Sequence, residues 1–247
     1  MKNLLQLIVL FAVLISATGC TPRETWDYVD MGVFTRGGMS AVPSLYATAI
    51  EEDNGVKVLV KDYERMEPHE IYEALQSNEE LRKAIRDAEV ITFDIAFDWF
   101  DRASSFYLSG FCKGGDGQDC LRESVQAIKD DWMGIIDEIA ALRAGEPVLL
   151  RVVIIGDWFY DWQFIERMTS EEKSTLMAYY REANDFIEQD ASQRGIVIVR
   201  AFPEPYFYEQ YPPAEYLTPN SLWFTEQGSK VIVEEMRKAG YEFIVLK

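Results

Sequence analysis

Five runs of this chain are rich in β-branched and apolar residues on both alternations: Trp26–Met31, Val56–Val60, Val90–Ile95, Val148–Ile155 and Ile196–Arg200. A strand whose two faces are both apolar has to be covered on both faces, which is the condition of a parallel sheet between helical layers. The intervals supply the helices: helical patterning covers Pro43–Glu52, Pro68–Asp87, Cys120–Leu142, Ser170–Arg194 and Thr225–Ala239. Thr169-Ser170-Glu171-Glu172 sets a hydroxyl and early acids at a helix start, and Gly195 and Gly240 follow helix ends. A short sixth strand is expected at Phe243–Leu246. The pattern predicts an α/β fold, a three-layer α/β/α sandwich on a mostly parallel five-stranded sheet. Ligands of such folds sit at the carboxyl ends of the strands, so the residues just after each strand matter most.

Composition narrows the function classes. Twenty-four Lys and Arg stand against 42 Asp and Glu, a net charge of −18. A surface this acidic opposes phosphate contacts and excludes nucleic acid as the expected partner. One histidine and three cysteines are too few for the usual zinc sets, and no cofactor is implied. His69, the sole histidine, falls in the first turn of a helix, where exposure is the simplest expectation.

Residues 1–19 form an address. Lys2 precedes an apolar run from Leu4 to Ile15, too short to span a bilayer comfortably, with the layout of an export signal. The run closes on Ala17-Thr18-Gly19-Cys20, which resembles a bacterial lipobox. That resemblance implies cleavage before Cys20, lipidation of Cys20 and anchoring to the bacterial cell membrane or envelope, facing an extracytoplasmic space. Residues 20–26 would then be a short tether and 27–247 the domain. Cys112 and Cys120 flank the glycine-rich Lys-Gly-Gly-Asp-Gly-Gln-Asp, and an oxidising exterior favours a disulfide between them.

Three segments that follow strands carry the functional reading. They are Tyr28-Val29-Asp30-Met31-Gly32-Val33-Phe34, Phe93-Asp94-Ile95-Ala96-Phe97-Asp98-Trp99, and Tyr216-Leu217-Thr218-Pro219-Asn220-Ser221-Leu222-Trp223 running on to Gly228. In this order they resemble the signature blocks of the SGNH (GDSL-like) hydrolases: Gly-Asp-Ser, Gly-x-Asn-Asp and Asp-x-x-His. The resemblance spans the mature chain and implies that family's flavodoxin-like fold. Members hydrolyse esters or amides with a serine activated by histidine, and oxyanion donors include the asparagine of the second block.

The frame is kept and the chemistry is not. Phe34 takes the place of the serine, with Val33 there after a one-residue shift. Asn220 replaces the orienting aspartate and Trp223 the histidine, and an indole N–H has no basic lone pair. Asp98 replaces the oxyanion asparagine, which turns a donor into an acceptor. Thr35 and Ser40 are the nearest hydroxyls, without a matching histidine. On an extended segment Asp94 and Asp98 would lie ~13 Å apart, beyond a glycosidase acid pair. The expectation is a catalytically inactive binding module. The alternative is an active esterase on ester-linked carbohydrate or lipid with a rearranged site. Aromatics after the strands, Trp99, Trp158, Tyr160, Trp162, Tyr206 and Tyr208, suit a glycan, an acylated small molecule or a peptide.

Overall fold

The structure, a computed structural model, describes residues 24–32, 42–63, 66–95, 98–114, 119–155, 168–201, 213–216 and 224–246. Its centre is a five-stranded sheet of β1 (Thr25–Asp30), β2 (Lys57–Asp62), β3 (Val90–Ile95), β4 (Leu149–Ile155) and β5 (Val197–Ala201), in the order β2-β1-β3-β4-β5. Every pairing is parallel, as the two-sided apolar runs require. From β1 the chain steps outward to β2, then returns to the other side of β1 to lay down β3. The order therefore reverses between β1 and β3, and the crevice of such a sheet opens there.

Helices close both faces. On one side lie α1 (Val42–Asn54) and, near the end of the chain, α8 (Glu226–Lys238), which pack on each other. Tyr46 of α1 sets its ring edge-on to Tyr28 of β1, with centroids 6.1 Å apart. On the other side lie α2 (Pro68–Ser77), α3 (Glu79–Asp87), α5 (Cys120–Arg143) and α6 (Ser170–Arg194). There Trp132 of α5 meets Phe93 of β3 at 6.1 Å, both fully buried. The core is thus two apolar layers separated by the sheet, the three-layer sandwich expected from the sequence.

Four local outcomes differ from expectation. Strand limits move by one or two residues, and β1 already starts at Thr25, inside the expected tether. The single helix expected over Pro68–Asp87 is two: Asn78 takes an extended backbone, and its Oδ1 accepts from the amides of Glu80 and Leu81 at 3.0 and 3.1 Å. A residue that caps well outcompetes helix continuation, the reason asparagine is poor mid-helix. α4 (Asp98–Leu108) forms where no helix was expected, with Phe100 and Ala103 buried in the core. The expected sixth strand is a single antiparallel bridge, with Val148 and Ile244 exchanging two hydrogen bonds of 2.9 Å.

Other signals behave as read. Thr169 and Glu172 form a reciprocal capping box on α6, and Gly195 ends that helix in the left-handed region at φ 73°. Cys112 and Cys120 are disulfide-bonded with their Cα atoms 5.6 Å apart, tying the segment after α4 to the first residue of α5.

Candidate functional site

At the β1/β3 switch the two strands run side by side with Asp30 opposite Thr92, and the amide of Met31 donates to Thr92 O at 2.9 Å. Residues in register share a face, which extends the row to Asp62 on β2 and Arg151 on β4. A polar row thus crosses the α1/α8 face of the sheet. Tyr28 starts a relay within it: its hydroxyl lies 2.8 Å from Thr92 Oγ1, and Thr92 Oγ1 donates to Asp30 Oδ1. The Gly32 amide also donates to the Asp30 carboxylate.

Asp30 is 6% exposed and Asp94, one pleat further along β3, is 1% exposed. Burial drives the Asp30 carboxyl up from 3.8 to about 7, with the nearby Asp62 charge adding to the rise and the Thr92 and Gly32 bonds opposing it. Burial, then the Asp30 charge, likewise pushes the Tyr28 phenol well above its usual range.

The two acids converge on Gly32. A Cβ at that position would overlap Asp94 Oδ2, with Asp94 Cγ at 3.3 Å and Asp30 Oδ2 at 3.5 Å. Glycine here is a matter of space rather than backbone freedom: its bare Cα leaves room for the Asp94 carboxyl, with the Asp30 carboxyl close by. Sequence reasoning picked out Gly32 and missed the role of Asp30, Thr92 and Arg151. The available signal was a polar residue inside a strand apolar on both faces.

Arg151 is fully buried; it donates to Leu150 O and Gly240 O, each at 2.8 Å. Beside it, burial raises the Tyr46 phenol to about 12, a rise that the Arg151 charge opposes. Arg151 therefore ties the central sheet to the turn that ends α8.

The third sequence block is held from α8. Thr225 caps that helix: its Oγ1 accepts from the Gly228 amide at 3.2 Å and donates to Glu215 O at 2.6 Å. Its own amide donates to Tyr216 O at 2.9 Å, which joins α7 (Pro213–Tyr216) to α8. A Cβ on Gly228 would collide with Tyr216 O and approach Phe224 Cδ1 to 2.9 Å. The scaffold glycines of the first and third blocks are thus both fixed by close packing.

Of the substituted positions, Phe34, Asn220 and Trp223 lie outside the described residues, as do Thr35, Ser40, Trp158, Tyr160, Trp162, Tyr206, Tyr208 and Cys20. Asp98 and Trp99 open α4, and their side chains are likewise outside the description. The two aromatic-rich loops leave from neighbouring strand ends, since Ile155 of β4 is in register with Ala201 of β5.

His69 is held in the outer layer. Its Nδ1 lies 3.1 Å from Asp131 of α5 and its Nε2 3.3 Å from Glu73, beside an acidic cleft of about 380 Å³ between α2 and α5. The hydrogen bond to Asp131 raises its pKa. Asp119 is occupied structurally, capping α5 through the Arg122 amide and accepting from the Tyr179 hydroxyl at 2.7 Å. Among the described residues no His, Cys, Asp and Glu cluster forms a metal site.

This arrangement has known counterparts. A lipase from a goat rumen metagenome superposes with a TM-score of 0.65 at 17% identity, over 87% of this chain and 98% of its own. The fold is that of the SGNH (GDSL-like) hydrolases. A protein of Parabacteroides merdae described as a GDSL-like lipase matches at 0.56 and 8% identity, over 89% of this chain and 97% of that one. An acetyl xylan esterase variant of Geobacillus stearothermophilus matches at 0.53 and 12%, over 90% and 97%. No protein-family model and no curated protein matches the sequence. At such identities the SGNH likeness is one of backbone architecture, which leaves the chemistry to be argued from this chain's own residues.

Proposed function

We propose that this chain is an SGNH-fold lipoprotein, exported and anchored through Cys20, whose catalytic set has been replaced and whose crevice binds a ligand without cleaving it. The observation that carries the reading is the contrast between frame and chemistry. Gly32 and Gly228 sit where a Cβ would meet the Asp94 carboxyl and the Tyr216 carbonyl, while Phe34, Asn220 and Trp223 stand in the sequence at the family's serine, aspartate and histidine. Nucleophile and base act as a unit, so losing both removes orders of magnitude in rate.

The acids beneath the crevice do not substitute for the lost groups. Asp30 and Asp94 are almost wholly enclosed, and Asp30 is engaged by Thr92 and Gly32. His69 is paired with acids in the outer helical layer. The ligand expected from the aromatic loops is a glycan, an acylated small molecule or a peptide, because flat rings present apolar faces to sugars and acyl chains.

The SGNH-fold neighbours include a lipase and an acetyl xylan esterase, so ester-linked lipid and carbohydrate are the substrates to test for residual activity. Purified protein should leave short-chain aryl esters and acetylated xylan uncleaved, at the rate of buffer alone. Tryptophan fluorescence should nevertheless respond saturably to xylo-oligosaccharides or acylated analogues. Enzyme-dependent release of acetate that is abolished by Thr35→Ala, Ser40→Ala or His69→Ala would replace this reading with that of a rearranged esterase.

A further inference from the structure

Among the described residues, most of the large exposed apolar side chains lie on the edge strand β2 or beside the disulfide loop, but two occupy the amino-terminal edge of the sheet, opposite the crevice. Phe243 is 39% and Val245 46% exposed, on the terminal segment that crosses this edge through the Val148–Ile244 bridge. Phe243 meets Trp26, the second residue of β1, edge-on at 5.2 Å and 89°. Buried Leu246 and the Ile244 bridge hold the backbone on either side of Val245, so the apolar pair is presented on an ordered segment.

Chain length gives this patch an occupant. Cys20 precedes Thr25 by five residues, a span of at most about 18 Å when fully extended. A lipid on Cys20 would therefore hold the start of β1, and with it Trp26 and Phe243, close to the bilayer surface. No other part of the domain could be tethered as closely.

Charge at this edge is mixed. Of the helices that end at this edge, α3, α6 and α8 carry Arg86, Arg194 and the Arg237–Lys238 pair in their last turns, Arg143 of α5 is buried against backbone carbonyls, and α1 ends on Glu51, Glu52 and Asp53 with no basic residue. Arg194 and Arg237 engage Asp190 and Asp53 there. The opposite ends of α6 and α8 begin with Glu171, Glu172 and Glu226.

We infer that the amino-terminal edge of the sheet, through Trp26, Phe243 and Val245, rests in the interface of the membrane that holds the lipid anchor and points the crevice away from it. This rests on the anchoring through Cys20 proposed above. Aromatic and aliphatic side chains in that zone enter about 5–10 Å into the headgroup and acyl boundary, and indole rings favour it. Among the described residues no helix is long and apolar enough to cross a membrane, so the contact would be peripheral.

The test uses the mature, lipidated chain reconstituted into phosphatidylethanolamine–phosphatidylglycerol vesicles containing a spin-labelled phospholipid. An environment-sensitive fluorophore is placed at Val245→Cys and, in a second protein, at the exposed Ser174→Cys near the start of α6. Both proteins should float with the vesicles, and the label at 245 should be quenched several-fold more than the label at 174. Flotation with equally weak quenching at both sites would overturn the orientation and leave the anchor standing. Failure to float would overturn the anchor and this inference together. A blue-shifted 245 label in detergent-solubilised dimers, with no lipid quenching, would assign the patch to a second copy and refute the membrane contact.

Discussion

The buried carboxyl of Asp30 makes a quantitative demand on stability. Its folded value of about 7 lies above the 3.8 of an ordinary aspartate, so between those limits the folded chain holds a proton that the unfolded chain releases. Stability must then fall as pH rises, because the unfolded state binds fewer protons across the window. The full rise corresponds to on the order of 4 kcal/mol, and about 2–3 kcal/mol of it falls between pH 5 and pH 8. Asp30→Asn keeps an acceptor for Thr92 and removes the titration. Urea or thermal unfolding of both proteins at intervals from pH 5 to pH 8 isolates the effect as the difference between two curves. The variant should gain on the wild type steadily with pH, by ~5–10 °C in Tm at this chain length. Parallel curves would refute the reasoning, since they would mean that Asp30 is already ionised in the fold at pH 5.

Gly32→Ala should destabilise the fold and shift the Asp30 titration, because the new methyl must displace the Asp94 carboxyl; equilibrium unfolding with its pH dependence reads both. Asn78→Ala should cost about 1 kcal/mol by uncapping α3, measured in the same way. Replacing Cys112 and Cys120 together by Ser should cost about 2–3 kcal/mol from the chain-entropy account of a loop this short, seen as a fall in the denaturation midpoint. Cys20→Ala should release the protein from the membrane fraction or block its processing, checked by fractionation.

The sheet was legible because its strands are apolar on both alternations, a pattern that only a covered parallel sheet accommodates. The limits of α6 were legible for a different reason: Thr169, Glu172 and Gly195 are local devices acting within a few residues. The break at Asn78 was equally local but lay inside a continuous amphipathic pattern, where periodicity hides a cap. α4 was missed because its aromatic-rich opening carries no helix signal; its place is set by Phe100 and Ala103 entering the core. At the site, the family frame pointed to Gly32 and Gly228, and the close packing at both gives that frame a physical basis. The Tyr28–Thr92–Asp30 relay could not be read in advance, because it depends on the register of two strands about 60 residues apart in sequence.

The central claim, that the family's nucleophile and base are gone, is tested most directly by incubating the purified mature chain with a fluorophosphonate and measuring its intact mass. Such reagents capture a serine or threonine only when a neighbouring base activates it. An unchanged mass under conditions that fully label an active SGNH esterase is the predicted result. A single stoichiometric adduct, mapped to one hydroxyl of this chain, would contradict it.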